Sequence, residues 1–222
     1  YAPFQLEIPG DILRPGAANK LQIDIHNHLD YKRTLPVLGG ILQPRNETGL
    51  PRLVELIRKS QVHISSVQLS QELHSGDERT LRAEVLLRNA TAAAGLAVEE
   101  EFTLTISVPG QRPVNQSILL HPQSTEGSTL ELRLDNPPLW SCSEPRLLEV
   151  EVLLSQNGEQ LDREVIQYGI RDIAISSDEL LLNGERFQLR GLVYRLDGVR
   201  GQLLDELQLA TDVALIKNMG CN

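Results

Sequence analysis

Tyr168-Gly169-Ile170-Arg171-Asp172-Ile173, then Leu181-Leu182-Asn183-Gly184-Glu185-Arg186-Phe187-Gln188-Leu189-Arg190-Gly191, then Asp212-Val213-Ala214-Leu215-Ile216-Lys217-Asn218-Met219-Gly220-Cys221-Asn222 is the stretch that decides how this chain folds. Asn183-Gly184 takes positive φ at little steric cost and predicts a two-residue hairpin turn after Leu181 and Leu182. Phe187 to Leu192 restarts an extended run. From Leu203 to Met219 apolar residues fall at 204, 207, 209, 213, 215, 216 and 219, which predicts a helix with a polar face, and Gly220 is placed to cap its C-terminus in a left-handed conformation. One strand and one helix cannot bury both faces alone, so the stretch reads as the exit from one fold and the start of another.

Upstream of it, short alternating runs recur at 62–70, 79–88, 97–108, 114–121, 128–135, 146–155 and 161–168. Leu130, Leu132 and Leu134 alternate with Glu131, Arg133 and Asp135, and Leu148, Val150, Val152 and Leu154 alternate with Glu149 and Glu151. Period two with a polar outward face is the pattern of half-buried antiparallel strands, and seven such runs separated by turn residues predict an immunoglobulin-like or fibronectin-like sandwich. No pair of cysteines is placed to staple its sheets, so packing alone must hold them, with Trp140 anchoring one end of the core. Near the N-terminus Leu21, Ile23 and Ile25 alternate with Gln22, Asp24 and His26 and predict one more strand. Residues 35–53, broken by Pro36, Gly39-Gly40, Pro44 and Pro51, predict a long irregular loop.

The order and spacing of the three motifs in the opening stretch, with Asn136-Pro137-Pro138-Leu139-Trp140-Ser141 ahead of them, resemble glycoside hydrolase family 2, the β-galactosidase, β-glucuronidase and β-mannosidase group. Tyr1, Pro3, Phe4, Ile8, Leu13, Gly16, Asn19, Leu21, Ile23, Ile25 and Asn27 are similar to the family's pattern near the end of its N-terminal jelly-roll domain. The resemblance implies a mainly β chain: 1–60 as the end of a jelly-roll, sugar-binding-like domain, 61–173 as an immunoglobulin-like β-sandwich, and 174–222 as the first strand and helix of a TIM barrel. It further implies a retaining β-glycosidase acting on terminal β-glycosides. Such enzymes use an acid/base and a nucleophilic carboxylate about 5 Å apart. In the family both glutamates lie on later barrel strands, so no catalytic residue is assigned in this chain and the segment alone is expected to be inactive. Where members often read Arg-Gly-Val-Asn-x-His-Glu, this chain has Arg190, Gly191, Leu192, Val193, Tyr194 and Arg195, so the family's Asn and His positions hold Val193 and Arg195. Side chains just beyond a barrel strand line the active face, which makes Arg195 and Asp197 candidate sugar contacts, with a surface ion pair as the other reading. The rival functional reading is a non-catalytic carbohydrate-binding or protein-interaction sandwich. Against it stands the start-of-barrel motif, which an autonomous module has no reason to carry.

Composition narrows the partners. A length of 222 residues cannot hold a whole α/β barrel of roughly 250 residues in addition to a sandwich. Aromatic residues make up 4% of the chain, so aliphatic side chains must build the core. A net charge of -9 with no run of basic residues argues against nucleic acid, and no apolar window is long enough to span a bilayer. A carbohydrate bound through the barrel is the expected partner, homo-oligomerisation is left open, and neither cofactor nor metal is called for. The compartment is also open: periplasmic or extracellular if a signal peptide has been removed, cytoplasmic otherwise. Cys142 and Cys221 read as independent free thiols, and His26 and His28, on one face of the expected strand, find no evident third metal ligand. Asp205 and Asp212 would sit about 10 Å apart on the helix, too far for a retaining pair, and with Glu206 they read as solvated charge. Glu99-Glu100-Glu101, where a strand begins, reads as an exposed edge or turn without a metal. Asn46, Asn89 and Asn115 begin formal glycosylation sequons.

Overall fold

The computed structural model describes residues 6, 8, 10–25, 54–73, 78–92, 99–176, 178–194 and 206–222. The chain divides into two compact units, Tyr1–Glu55 with Tyr194–Thr211, and Leu56–Val193 with Asp212–Asn222.

All seven predicted sandwich strands are present. They are β1 (Val62–Leu73), β2 (Arg79–Asn89), β3 (Glu100–Ser107), β4 (Val114–Leu120), β5 (Thr125–Leu134), β6 (Leu148–Gln156) and β7 (Glu159–Tyr168). One sheet has the order β1-β2-β5 and the other β4-β3-β6-β7, every pair antiparallel. Register places apolar residues opposite one another, Leu81 beside Leu132 and Ala83 beside Leu130 in the first sheet, Leu104 beside Leu154 and Ile106 beside Val152 in the second. Because side chains alternate with period two, this register turns a complete apolar set inward from each sheet. The enclosed core is aliphatic apart from Phe102, as the composition requires. Asn157-Gly158 joins β6 to β7 with φ of 51° and 82°, the doubly positive turn whose twist matches its flanking strands.

The edge between β1 and β7 is fastened by polar groups. Each strand carries an irregularity there, between Ile64 and Ser66 on β1 and opposite Leu154–Ser155 on β7. Asp162 Oδ2 accepts the Ile64 amide at 2.9 Å, Ser60 Oγ donates to the Leu161 carbonyl at 2.9 Å, and Lys59 Nζ donates to Asp162 Oδ2 at 3.0 Å and Glu164 Oε1 at 2.5 Å. Burial works to lower the Lys59 pKa, but the hydrogen bonds and charges of Glu164 and Asp162 outweigh it and raise the ammonium above its ordinary value.

Beyond Tyr168 the chain forms a separate three-stranded sheet, β8 (Ile173–Ser176), β9 (Glu179–Leu182) and β10 (Glu185–Arg186), in the order β10-β9-β8. Its second turn is the predicted Asn183-Gly184 hairpin, with φ of 53° and 79°. Phe187 to Leu192, expected to be extended, makes no ladder among the described residues. Helix α1 (Glu206–Asn218) follows with none of its residues buried. It ends as Gly220 predicts: Gly220 has φ 93°, its amide donates to the Lys217 carbonyl at 3.0 Å, and the Cys221 amide reaches the Ile216 carbonyl at 3.4 Å. Those two bonds are the Schellman closure that satisfies helix-end carbonyls.

The N-terminal unit departs from expectation. Leu21 to Ile25 is exposed and outside any strand. Alternation supplies an apolar face, but a strand also needs a paired neighbour and a layer to cover that face, and the described residues of this unit supply neither. What they do form is one 3-10 turn at Gly10–Ile12 and a loop closed by Asn19, whose Oδ1 accepts the Arg14 amide at 2.9 Å and whose Nδ2 donates to the Arg14 and Ala17 carbonyls at 3.1 Å. His26, His28, Asn46 and the 35–53 segment lie outside the described residues.

Candidate functional site

The motif residues converge at one end of the sandwich, where the chain leaves β7 for β8. Leu139 bridges Ile170 in parallel, and the Trp140 amide donates to the Ile170 carbonyl at 2.7 Å. The indole lies so close to Gly169 that a β-carbon there would stand 3.0 Å from Trp140 Cβ, Cγ and Cδ1. On the ring sits the Arg171 guanidinium, 5.6 Å from the centroid, with its Nη1 donating to the Gly169 carbonyl at 3.0 Å. Burial pushes the neighbouring Tyr168 hydroxyl up, against the downward pull of Arg171. The family-like pairing of Tyr-Gly-Ile-Arg with Leu-Trp-Ser is thus a packing requirement: glycine leaves room for the indole, and the indole seats the arginine.

Asn183 joins the third motif to this cluster. Its Oδ1 accepts the Asp172 amide at 3.0 Å, its Nδ2 donates to the Trp140 carbonyl at 3.0 Å, and its own amide donates to the Asp172 carbonyl at 2.8 Å. A residue chosen for a left-handed turn therefore also ties the hairpin back to the sandwich exit. From the first sheet, Gln71 Nε2 donates to the Arg171 carbonyl while Gln71 Oε1 accepts the Arg171 amide at 3.2 Å. Arg79, whose side chain is 6% exposed, pairs through Nη2 with Asp172 Oδ2.

Gln71 and Arg79 escape a motif search, because their partners lie 100 and 93 residues away in sequence. Arg79 left one signal. It stands in phase with Leu81, Ala83, Val85 and Leu87, so alternation already points a cation into the apolar stripe.

The expected site residues fare differently. Arg195 and Asp197 lie outside the described residues, as does Asp205. Val193, at the family's Asn position, is 94% exposed. Glu99, Glu100 and Glu101, exposed where β3 begins, contact His121 Nε2 at 2.8 Å, Gln156 Nε2 at 3.0 Å and Ser117 Oγ; β3 lies between β4 and β6, so the run marks the start of an interior strand and not a sheet edge. Asn89 is buried, with Oδ1 accepting the Thr91 amide at 3.0 Å and the Thr91 hydroxyl at 2.6 Å, and is closed to glycosylation, whereas Asn115 is exposed. Cys142 and Cys221 are both free thiols. Among the described residues no group of three or more His, Cys, Asp or Glu side chains could hold a metal. A recess of about 330 Å³ opens on the sheet of β1, β2 and β5, lined by Ser66, Gln68, Glu84, Gly127 and Thr129 among others, and it is broad and shallow. The far end of the chain carries one further contact: Asn222 donates from its amide to the Arg190 carbonyl at 2.9 Å, while Arg190 N–H donates to Asn222 Oδ1 at 2.9 Å and Asn222 Nδ2 donates to the Gln188 carbonyl at 2.9 Å.

The family described as "Glycosyl hydrolases family 2" matches residues 62–171. Among curated proteins the chain is similar to β-galactosidase 2 of Enterobacter cloacae, 30% identical over an alignment 224 positions long that covers 95% of this chain and 20% of that protein. It is also similar to a β-galactosidase of Pectobacterium atrosepticum, 29% identical over 183 residues covering 79% and 18%. Among solved structures it is similar to the Bacteroides uniformis β-glucuronidase, with a TM-score of 0.62 and 25% identity over 73% of this chain and 21% of that one. The β-galacturonidase of Eisenbergiella tayi bound to galacturonate shares the fold, with a TM-score of 0.66 at 20% identity over 74% and 29%. The chain spans about a fifth of the length of the curated relatives it matches.

Proposed function

The chain belongs to glycoside hydrolase family 2, and we propose that it serves a retaining β-glycosidase, of β-galactosidase kind, as the accessory scaffold between a sugar-binding-like domain and a catalytic barrel. In this reading 1–60 close a jelly-roll domain, 61–173 form the immunoglobulin-like sandwich and 174–222 begin the TIM barrel. The single observation that supports it best is the pairing of Asn222 with Gln188 and Arg190 after a helix ended by Gly220. Gln188 to Arg190 is in no strand of the described residues, but a return from the end of a helix to the segment that precedes it is the path a βα unit of a barrel follows.

The chemistry of such an enzyme needs two carboxylates about 5–5.5 Å apart, one to protonate the leaving oxygen and one to attack the anomeric carbon. That pair belongs to later barrel strands, and the 222-residue segment alone turns over no glycoside. The reading is tested with chromogenic β-galactosides, β-mannosides and β-glucuronides against the full-length protein and against the segment. Hydrolysis by the first with retention of configuration supports it. A rate in the segment that survives stringent purification, or inversion of the anomeric centre, overturns it. Variants of Arg195, which stands at the family's His position, and of Asp197 then decide whether the two contact the sugar or form a surface ion pair.

A further inference from the structure

The side chains that reach from the first sheet to the exit segment do more than fill space. Arg79 starts β2 at the end of its sheet, level with Leu134 of β5. Its guanidinium is buried, pairs with Asp172, and leaves Nε without a hydrogen-bond partner among the described residues. A cation in that setting gives up its hydration and recovers it incompletely, so an apolar side chain of similar volume would serve stability at least as well. What such a pair supplies, and an apolar contact does not, is a fixed distance and direction between two groups.

Gln71 acts on the adjacent residue. One carboxamide satisfies both the amide and the carbonyl of Arg171, as a neighbouring strand would, and its Nε2 also lies 3.3 Å from Asp172 Oδ1. The exit segment is covalently continuous with β7 of the second sheet, yet two consecutive residues of it are held by side chains of the first. Both sheets thereby grip the root of β8.

We infer that Gln71 and Arg79 form a clamp on Arg171-Asp172 that sets the direction in which the chain leaves the sandwich, making them positioning residues for the downstream barrel. The consequence for catalysis rests on the function proposed above; the clamp itself does not.

The test uses the full-length protein and hydrogen exchange, with R79M keeping volume, R79K keeping charge, and Q71A as a milder variant. Exchange at the Asp172 and Asn183 amides rises about tenfold or more in R79M and Q71A, stays near wild type in R79K, and does not change at Leu81 and Leu132 in the sheet interior. The value of kcat/KM for the cleaved glycoside falls in R79M and recovers in R79K. An R79M protein indistinguishable from wild type in exchange overturns the clamp, as does a rise spread evenly through the sandwich. If R79M does not fold, Q71A decides by the same pattern. Altered exchange with unchanged kcat/KM overturns the positioning role, and a wild-type protein without glycosidase activity refutes the proposed function while the exchange result still stands.

Discussion

Replacing Gly169 by alanine tests whether the junction motif is a packing requirement. The new β-carbon would sit 3.0 Å from three atoms of Trp140, against an optimum of about 3.5–4.0 Å for carbon pairs. Overpacking of this size costs about 1–3 kcal/mol. The Gly169 φ lies outside the left-handed region, so alanine also narrows the unfolded ensemble and returns about 0.4–1 kcal/mol. The net expectation is a destabilisation of about 1–2 kcal/mol. With a urea dependence of about 2 kcal/mol per molar, that lowers the midpoint by about 0.5–1 M. Trp140 is the single tryptophan of the 222-residue chain, so its fluorescence reads the junction directly while far-UV circular dichroism reads the sheets. The ring must move to relieve the contact, so the native emission maximum shifts as well. A neutral or stabilising Gly169→Ala with unchanged emission would refute the reasoning, because it would mean the ring has room that the structure denies it.

Asn183→Gly keeps the turn but removes two side-chain hydrogen bonds and should cost about 1–3 kcal/mol by urea melting, while Asn183→Ala adds a left-handed strain of about 1–2 kcal/mol; equal losses in the two would reduce the side chain to a turn former. Leu132→Ala, in the closed core, should cost about 2–5 kcal/mol, whereas Leu215→Ala on the open helix should stay within about 0.5 kcal/mol in the 222-residue chain. Lys59→Met tests the latch on β7 through pH. The raised pKa means the latch contributes fully below an ordinary lysine's 10.5 and is lost as pH rises through the higher folded value, so wild type and variant should converge only in alkali. A stability gap unchanged through that alkaline window would show that the ammonium does not supply it.

The seven sandwich strands could be read from the sequence because each is specified locally, by a period-two stripe and a turn at each end. The same criterion failed at Leu21 to Ile25, whose stripe is as regular as that of β5. The difference is in what faces the stripe: Leu130, Leu132 and Leu134 meet β2 alongside and the second sheet across the core, while Leu21 and Ile23 meet neither among the described residues. Gly220 was legible for the opposite reason, since a helix end is closed by its own last turn and needs nothing distant. The sheet of β8, β9 and β10 was half legible. Its turn is written in Asn183-Gly184, but the pairing of Ile173 with Leu182 depends on a docking that no local pattern encodes.

The junction motifs, too, are explained by what packs against them. Trp140, Gly169, Arg171 and Asn183 are each costly or restrictive choices: a bulky ring at a sheet end, a residue without a side chain, a cation over the ring, an asparagine with positive φ. Residue types of this kind usually draw attention as ligands or catalysts. Here each restriction is accounted for by another member of the cluster, through the contact with Gly169, the guanidinium on the indole and the Asn183 bonds to Trp140 and Asp172. Once those partners are counted, no buried side-chain nitrogen or oxygen of Trp140 or Asn183 is left without a bond among the described residues. The same count run on Arg79 leaves a remainder, a buried Nε without a partner. A polar group that stability alone would discard is better explained by the direction it enforces than by the energy it adds.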